Sequence, residues 1–194
     1  MRLLFLRFSS IGDIALTSAA IRCAKLQIPN VEIHYATKLS MKAVTEGNPY
    51  ITKFHYLDDS FSELVKSLKQ ENFDYVIDLH KNLRTLRLKL ALRKPAFSYN
   101  KAIFQRFLLT KFGINLMPKR HIVLRFVDTL APLGVSYDGK GQDYFIPKET
   151  ITPEIPASFQ KNYVALVIGA TYFTKKLPTH KIIELINNID GGVS

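Results

Sequence analysis

Short apolar runs alternate with amphipathic segments along the first two thirds of the chain. The apolar runs predict strands at 2–8, 31–37, 51–57 and 74–80, with a further short strand at 96–100. Helices are predicted at 14–27 and 39–46, and a third carries Phe61, Leu64, Val65 and Leu68 at the i, i+3, i+4, i+7 spacing of one helix face. Two basic helical segments flank 96–100, and a last helix carries Ile122, Val123, Phe126, Val127 and Leu130.

The regular alternation of strand and helix predicts an α/β fold with a mostly parallel sheet, because parallel neighbours need a crossover connection. The continuous apolar centre of "DYVIDLH" (74–80) indicates a strand buried on both faces. Helices are therefore expected on both sides of the sheet.

The pattern changes after Val135. Residues 136–160 hold three prolines and two glycines without a sustained period, which is typical of a linker. A new buried strand is predicted at 162–170 and a helix at 179–190 with Thr179 as N-cap. Because one strand and one helix cannot close a core, we predict a complete domain over 1–136, a linker over 137–160, and the first βα unit of an incomplete second domain over 161–194.

Composition places the protein among ordinary globular chains, with 47% hydrophobic and 22% charged residues in 194. No apolar run is long enough to span a bilayer, and Arg7 interrupts "LLFL" too early for a secretory signal. The single Cys23 cannot form an internal disulfide, which fits a reducing compartment. We therefore expect a cytoplasmic protein.

The net charge of +11 is concentrated in one part of the chain. From Lys81 to Val127 there is no Asp or Glu, whereas lysine and arginine recur throughout. A segment of one sign produces a positive field that attracts anions. Nucleic acid, anionic lipid and a phosphorylated substrate are all open as partners, and so is an ordinary solvated basic face.

The loop after the first strand, in "RFSSIGDIALTSAAIR" (7–22), carries the candidate chemistry. Ligands of open α/β sheets bind beyond the carboxyl ends of the strands. Ser9 and Ser10 offer hydroxyls, and Gly12 would let a ligand or the chain itself pass close to the backbone. Asp13 either caps the following helix or accepts a proton from a bound hydroxyl as a general base. One glycine, where the dinucleotide fingerprint needs three, argues against a dinucleotide fold.

The segment "SSIGDIALTSAAIR" resembles the opening motif of glycosyltransferase family 9, whose members include the ADP-heptose:lipopolysaccharide heptosyltransferases. The resemblance continues through "DYVIDLHKNLRTLRL", "KRHIVLRFVDTLAPLGV" and "YVALVIGATYFTKKLPTHKIIELI", and so covers nearly the whole chain. It implies a Rossmann-like sheet forming the N-terminal half of a GT-B glycosyltransferase. The chain would be part of an inverting enzyme that moves a heptose from an ADP-heptose-like donor to a lipopolysaccharide core acceptor.

The resemblance also implies roles for individual residues. Asp13 falls on the family's catalytic base, and Lys175 falls on the lysine that neutralises the leaving diphosphate. Lys176 and Thr171 are assigned with Lys175 to the donor phosphates. From their positions, and not from the resemblance, acceptor binding is assigned to Ser9, Ser10 and Gly12 in the first loop and to Lys81 and Arg84 just past the fourth strand. No cofactor is implied, and because the donor domain is incomplete we expect the 194-residue chain alone to transfer little or no sugar.

Acceptors in this family are acidic, lipid-linked saccharides at the inner face of the cytoplasmic membrane. "KAIFQRFLLTKFGI" (101–114) interleaves phenylalanines with cations, as an interfacial helix at an anionic membrane would. The alternative is an ordinary helix packed on the sheet. A peripheral position on the membrane is therefore open, beside a purely cytoplasmic one.

Two other functions stay open at this stage. A basic nucleic-acid or anion binding module would use the same charge, although the sequence carries no nucleic-acid motif. A GT-B enzyme with a different sugar donor would share the architecture. The sequence has neither metal-ligand Cys/His spacing nor an Asp-x-Asp motif, so we expect no metal.

Overall fold

The computed structural model describes residues 1–147, 149–150, 154, 156, 159, 163–170 and 172–189. Its internal contacts divide the chain into two units, Met1–Thr150 and Ile151–Ser194. Each unit is described by itself.

Strands and helices alternate through the first unit, as the hydrophobic pattern predicts. The described strands are β1 (Arg2–Leu6), β2 (Glu32–Lys38), β3 (Lys53–Leu57), β4 (Tyr75–Asp78) and β5 (Ala96–Ser98). The described helices are α1 (Ile11–Ala15), α2 (Ser18–Gln27), α3 (Lys42–Thr45), α4 (Phe61–Lys69), α5 (Leu83–Leu92), α6 (Ile103–Phe112), α7 (Ile122–Asp128) and, in the second unit, α8 (Thr179–Asn188).

The five strands form one parallel sheet in the order β3-β2-β1-β4-β5. In the register, Leu3 of β1 pairs with Ile33 of β2 on one side and with Tyr75 of β4 on the other. The α/β fold with a parallel sheet is therefore confirmed. Since β1 lies in the centre, its residues Leu3 to Leu6 are fully buried.

Alternate side chains of β1 point into two separate cores, because successive residues of a strand face opposite sides of the sheet. Leu3 and Phe5 belong to the core that α2 and α7 cover. Leu4 and Leu6 belong to the core on the other face, under α4 and α5. The expectation of helices on both sides of the sheet is thus met.

Strand order reverses beside β1. From β1 the chain proceeds to β2 and β3 on one side and then crosses to β4 on the other. The carboxyl ends of β1 and β4 therefore border the crevice in which open α/β sheets bind ligands. The loops that follow these two strands, 7–10 and 79–82, form this edge of the sheet.

The predicted helix at 14–27 consists of two helices. The first begins at Ile11, three residues earlier than predicted, and a turn at Leu16 and Thr17 separates it from α2. The hydroxyl of Thr17 donates to the carbonyl of Ile14 at 2.6 Å and lies 3.1 Å from the hydroxyl of Tyr35 on β2. A side chain that binds the preceding turn interrupts a helix, and this contact with β2 is not visible in a local pattern. The predicted helix at 39–46 is likewise a 3-10 turn at Leu39–Met41 followed by α3.

The predicted linker at 137–160 begins with a segment that packs on the first unit, and the boundary between the units falls after Thr150. The segment is held on the first unit by Arg22 of α2, whose guanidinium is buried. It donates from Nε and Nη2 to the carboxylate of Asp138 at 2.7 and 2.8 Å, and it also binds Asp143 and the carbonyl of Gly141. Although residues 138–143 have the composition of a loop, they therefore pack on the first unit and are not a free linker.

The second unit differs from the prediction at two points. Residues 163–170, within the predicted strand at 162–170, form no strand and are largely exposed. A strand is stable only beside a partner, and the described residues of this unit provide none. The N-cap of α8 is Pro178 and not Thr179, because the amides of Lys181 and Ile182 bind the carbonyl of Pro178.

Helix α6 is not packed on the sheet, so the alternative of an ordinary domain helix is wrong. None of its residues is buried, and the large apolar side chains of Ile103, Phe104, Phe107 and Phe112 are exposed. Lys101, Arg106 and Lys111 lie in the same segment. Exposed apolar side chains clustered in this way usually mark a surface that contacts another protein or a membrane.

We predict that Arg22→Met lowers the free energy of unfolding by about 3 kcal/mol, since removing one member of a buried ion pair leaves uncompensated buried charge. Urea denaturation at pH 7 measures the change. The matched control is Arg120→Met. Arg120 makes the same two-bond contact to Asp128 at the surface, where such pairs contribute less than about 1 kcal/mol.

The pH dependence of stability provides a second readout for Arg22. Its guanidinium holds the pKa of Asp138 well below the usual range. A lowered carboxylate pKa gives stability that is present above the unfolded value of ~3.9 and is lost as the pH falls through the folded value. The wild-type protein should therefore lose more stability on acidification below about pH 4 than Arg22→Met does. Equal losses in the two proteins would contradict the assignment.

Candidate active site

The two loops at the carboxyl edge of the sheet are held together by Arg7, the first residue after β1. Its Nη1 donates to the carbonyl of Leu79 in the β4 loop at 2.5 Å, and its Nε donates to the carbonyl of Ser9 at 2.8 Å. The guanidinium of Arg84, on α5, lies 5.5 Å from the ring centre of Phe8. The structure therefore brings the six predicted site residues of the first unit to one edge: Ser9, Ser10, Gly12, Asp13, Lys81 and Arg84.

Asp13 lies in the first turn of α1 and uses one carboxylate oxygen for all its contacts. Oδ2 lies 2.6 Å from Nη2 of Arg7 and accepts hydrogen bonds from the hydroxyl and the backbone amide of Ser10, at 2.9 and 3.3 Å. Within the described residues no hydrogen bond reaches Oδ1, and the side chain is 41% exposed. The N-cap of α1 is Ser10 and not Asp13, which is the N3 residue of the capping box. Asp13 therefore supports the cap and still presents a free oxygen.

The pKa of Asp13 is lowered from its usual value. Partial burial alone raises it, but the hydrogen bond from Ser10 and the positive charge of Arg7 together outweigh that effect. The carboxylate is therefore ionised at neutral pH. It can accept a proton, although it is a weaker base than an ordinary aspartate.

Sequence reasoning missed Arg7 as a site residue. Its side chain is only 8% exposed, and its guanidinium lies 5.7 Å from the ring centre of Phe126 on α7. A cation placed directly between a buried strand and a polar loop was the available signal. Such a charge is buried only where several partners compensate its desolvation.

Gly12 lies in open space. A Cβ added at this position would meet no atom within 4 Å. The expectation that the chain itself passes close to Gly12 is therefore wrong, whereas room for a ligand beside the backbone exists. Ser10 is exposed and Ser9 half-buried on the same loop.

The β4 loop is organised by Asp78, the last residue of its strand. Asp78 is fully buried, and its Oδ1 accepts the backbone amides of His80 and Lys81 at 3.1 and 2.7 Å. The ammonium of Lys89 lies 2.8 Å from Oδ2 and forms an ion pair, while its hydrogen bond goes to Ser98. These contacts hold Lys81 in a left-handed conformation with φ of 52°. The backbone of Lys81 is fixed and its side chain is exposed.

His80 belongs to the β4 loop, and its ring packs against Phe8 of the β1 loop in an edge-to-face contact at 6.2 Å. Burial, with smaller contributions from the charges of Arg7 and Lys101, lowers the pKa of His80 to about 4. The imidazole is therefore neutral at physiological pH. It adds a polar, uncharged group to the candidate site, which sequence reasoning did not single out.

An open groove of about 550 Å³ lies at the same edge, on the α4 and α5 face. It is lined by Leu57, Asp58, Asp59, Phe61, Asn82, Leu83, Arg84 and Arg87. The groove combines two carboxylates and two guanidiniums with the apolar side chains of Leu57, Phe61 and Leu83. A polar ligand such as a saccharide suits this lining better than an apolar one.

The donor residues predicted in the second unit are placed only in part. Lys175 ends a 3-10 turn at Phe173–Lys175, with its ammonium 5.6 Å from the ring centre of Tyr172. Lys176 follows, and both lysines are exposed. Thr171 lies outside the described residues. The assignment of these three residues to the donor phosphates stays a prediction.

In the described part of the chain, one group of side chains could hold a metal ion: His34, His55 and Glu71. The expectation of no metal relied on local spacing, and these residues come from β2, β3 and the turn after α4. Their position toward the amino-terminal edge of the sheet separates them from the candidate active site. Among the described helices, none has both the length and the apolar character needed to cross a bilayer.

The chain is similar in sequence to the lipopolysaccharide heptosyltransferase 1 of Campylobacter coli, at 19% identity over 95% of this chain and 59% of that protein. No protein-family model matches the chain. The chain thus spans less than two thirds of the length of this curated relative.

Solved structures show the same similarity. E. coli heptosyltransferase WaaC with ADP-2-deoxy-2-fluoro heptose aligns with a TM-score of 0.59 and 18% identity, over 74% of this chain and 51% of that one. A family 9 glycosyl transferase from Veillonella parvula aligns with a TM-score of 0.58 and 24% identity, over 75% of this chain and 44% of that one. These similarities agree with the resemblance to glycosyltransferase family 9, and they show that the fold is the one these enzymes use for about half their length.

We predict that Arg7→Met raises the pKa of Asp13 toward its ordinary value, because a positive charge that favours the carboxylate is removed. The carboxyl carbon chemical shift of Asp13, followed by NMR over pH, measures the effect. Arg87→Met, which removes an equal charge from α5, is the control and should leave the Asp13 titration nearly unchanged. An Asp13 titration that Arg7→Met does not move would contradict the ion pair.

Proposed function

We propose that this chain contains the acceptor-binding domain of an inverting glycosyltransferase, which transfers a heptose from an ADP-heptose-like donor to an acidic, lipid-linked saccharide of the lipopolysaccharide core. The observation that carries the proposal is the ionised carboxylate of Asp13, presented with one free oxygen at the switch point of the sheet. The similarity to heptosyltransferases supports the choice of sugar and acceptor.

In the proposed reaction, the acceptor hydroxyl attacks the anomeric carbon of the donor while the bond from that carbon to the diphosphate breaks. The hydroxyl proton passes to Oδ1 of Asp13, the oxygen without a hydrogen-bond partner among the described residues. The nucleoside diphosphate leaves from the opposite face of the sugar, so the anomeric configuration inverts. Because the pKa of Asp13 is lowered, proton transfer follows late, when bond formation has already made the hydroxyl acidic.

We assign acceptor binding to Lys81 and Arg84, the cationic residues at the carboxyl edge of the sheet. Lys81 and Arg84 begin a segment of 47 residues, 81–127, without Asp or Glu, and Arg84 lines the groove next to the β1 loop. Guanidinium groups bind carboxylates and phosphates through paired hydrogen bonds. Ser9, Ser10 and the open space at Gly12 would accommodate the hydroxyls of the reacting sugar.

Donor binding is assigned to Lys175, Lys176 and Thr171. An ammonium close to the leaving diphosphate stabilises negative charge as it develops, which is the effect that lowers the barrier. Support for this assignment comes from the family motif in the sequence. The exposed position of both lysines in the described structure is compatible with it.

We further propose that the protein works in the cytoplasm, peripherally bound to the inner face of an anionic membrane. The exposed phenylalanines of α6, with Lys101, Arg106 and Lys111, support this placement. An amphipathic segment of this composition inserts apolar rings at the interface while its cations meet lipid phosphates. A lipid-linked acceptor would then be presented beside the groove.

We expect Asp13→Asn to reduce heptose transfer by about 10²- to 10⁴-fold, the range that a general base contributes. The assay uses ADP-heptose with this chain joined to a donor-binding domain. Asp74→Asn is the matched control, because Asp74 lies at the opposite edge of the sheet, where it accepts the amide of Arg2. Transfer that survives in Asp13→Asn at the rate of the control would overturn the proposed base.

Neutralising Lys81 and Arg84 should weaken acceptor binding by about tenfold or more, since each loses a charge-assisted contact. Flotation of the 194-residue chain with zwitterionic vesicles that carry a heptose-free lipopolysaccharide core measures binding for Lys81→Gln/Arg84→Gln. Lys66→Gln/Lys69→Gln removes the same charge from exposed positions of α4 and serves as the control.

Two further arms of this experiment separate the alternatives. Anionic vesicles without the acceptor report the contribution of the membrane alone. Oligonucleotide binding as tight as acceptor binding, with the same dependence on salt, would instead support a nucleic-acid module. Equal losses in both double variants would contradict the specific role of Lys81 and Arg84.

A further inference from the structure

Three side chains of types that can ligate a metal, His34, His55 and Glu71, meet toward the amino-terminal edge of the sheet, away from the carboxyl edge that carries Asp13. His34 of β2 and His55 of β3 are both buried, and Nδ1 of His34 lies 2.9 Å from Nε2 of His55. Oε2 of Glu71 lies 4.0 Å from the same Nδ1. One ligand atom from each residue falls within 4.8 Å of the other two.

These distances are close to those of a four-coordinate metal site. With Zn–N and Zn–O bonds of about 2.0–2.1 Å, tetrahedral geometry separates neighbouring ligand atoms by about 3.3 Å. The observed 2.9 and 4.0 Å lie on either side of that value. All three ligand atoms lie within 4.8 Å of one another, so side-chain adjustments of about 1 Å per atom would bring them around one ion. Two imidazoles, one carboxylate and a water form a donor set that Zn²⁺ commonly uses.

The environment holds the three ligands in place. The ring of Phe73 packs edge-on against both imidazoles, at 5.2 Å from His34 and 6.2 Å from His55. The backbone carbonyl of Glu71 accepts a hydrogen bond from the guanidinium of Arg2. The ligands thus come from three segments whose positions the sheet and its packing already determine.

The charged groups around the cluster balance one another. Lys53 pairs with Oε1 of Glu71 at 2.5 Å, and Arg2 pairs with Glu32 at 2.7 Å. Two cations and two carboxylates therefore face two imidazoles. Lys53 is 56% exposed, so its ammonium can move into solvent when a metal takes over the charge of Glu71.

We propose that His34, His55 and Glu71 form a binding site for a divalent transition-metal cation, with Zn²⁺ as the best match. The ion would join β2, β3 and the turn between α4 and β4, and water would complete the coordination. This site is independent of the proposed glycosyl transfer.

The protonation states of the cluster are compatible with metal binding. Burial lowers the pKa of His34, and it lowers that of His55 to about 4, so both rings are neutral at physiological pH. Neutral imidazoles are the form that binds metals. The ring that donates the shared hydrogen bond would move that proton to its other nitrogen, so the pair need not release a proton when the ion enters.

Titration of the 194-residue chain with Co²⁺, a spectroscopic substitute for Zn²⁺, tests the site. We expect the visible absorption of four-coordinate Co²⁺ to appear with one ion per chain, at a dissociation constant of about 1 µM or below, and to be displaced by Zn²⁺. Glu71→Gln should weaken binding by about tenfold or more, and His34→Asn/His55→Asn should abolish it. His180→Asn, at an exposed position of α8, is the control and should bind as the wild type does.

A second measurement avoids any dependence on folding of the variants. Imidazole NMR signals of the wild-type chain, followed during addition of Zn²⁺, should shift for His34 and His55 before those of His80, His121 and His180. Unchanged His34 and His55 signals at saturating Zn²⁺ would overturn the proposal. Co²⁺ absorption that persists in a folded His34→Asn/His55→Asn variant would overturn it as well.

Discussion

The buried guanidinium of Arg7 connects the two sides of the switch point, and the geometry of the candidate site depends on it. Its guanidinium contacts four groups: the carbonyls of Ser9 and Leu79, the carboxylate of Asp13 and the ring of Phe126. Removing an arginine from water costs several kcal/mol unless its donors are satisfied. The folded state therefore requires that the β1 loop, the first turn of α1 and the β4 loop occupy their places together. The position of Asp13 is a consequence of this requirement.

The β4 loop contains the complementary arrangement. Asp78 is a buried anion at the end of its strand, as Arg7 is a buried cation just beyond β1, and Lys89 compensates its charge from α5. Asp78 accepts two backbone amides and so fixes the path of the chain at Lys81. Both loops thus take their conformation from a buried charge, while the exposed groups, Oδ1 of Asp13 and the side chain of Lys81, stay available to a ligand. Preorganisation of this kind is what catalysis by positioning requires.

Periodicity predicted the parallel sheet, and the rule that ligands bind beyond the carboxyl ends of its strands predicted the edge at which Asp13, Lys81 and Arg84 meet. It failed where a contact distant in sequence decides the outcome. Thr17, which contacts Tyr35 of β2, lies at the turn that divides the predicted helix at 14–27, and the ion pairs of Arg22 hold a loop-like segment on the first unit. Residues 163–170 have the composition of a strand, but strand formation needs a partner. Asp78 and the pair of His34 with His55 were missed for the same reason, since burial of a polar residue depends on how the chain folds. For Arg7, its position between a buried strand and a polar loop was a signal in the sequence.

The ion pair of Arg7 with Asp13 also defines what kind of base Asp13 can be. A carboxylate with a lowered pKa is fully ionised at neutral pH, so no fraction of the protein is lost to the protonated form, but its affinity for a proton is small. That combination suits a displacement in which departure of the diphosphate leads and proton transfer follows. The ionised carboxylate of Asp13 also repels an acidic acceptor. The cation beside it and the cationic stretch from Lys81 onward counter this repulsion. In the proposed reaction, therefore, one arginine positions the base, lowers its affinity for a proton and reduces the penalty of bringing a negatively charged substrate to it.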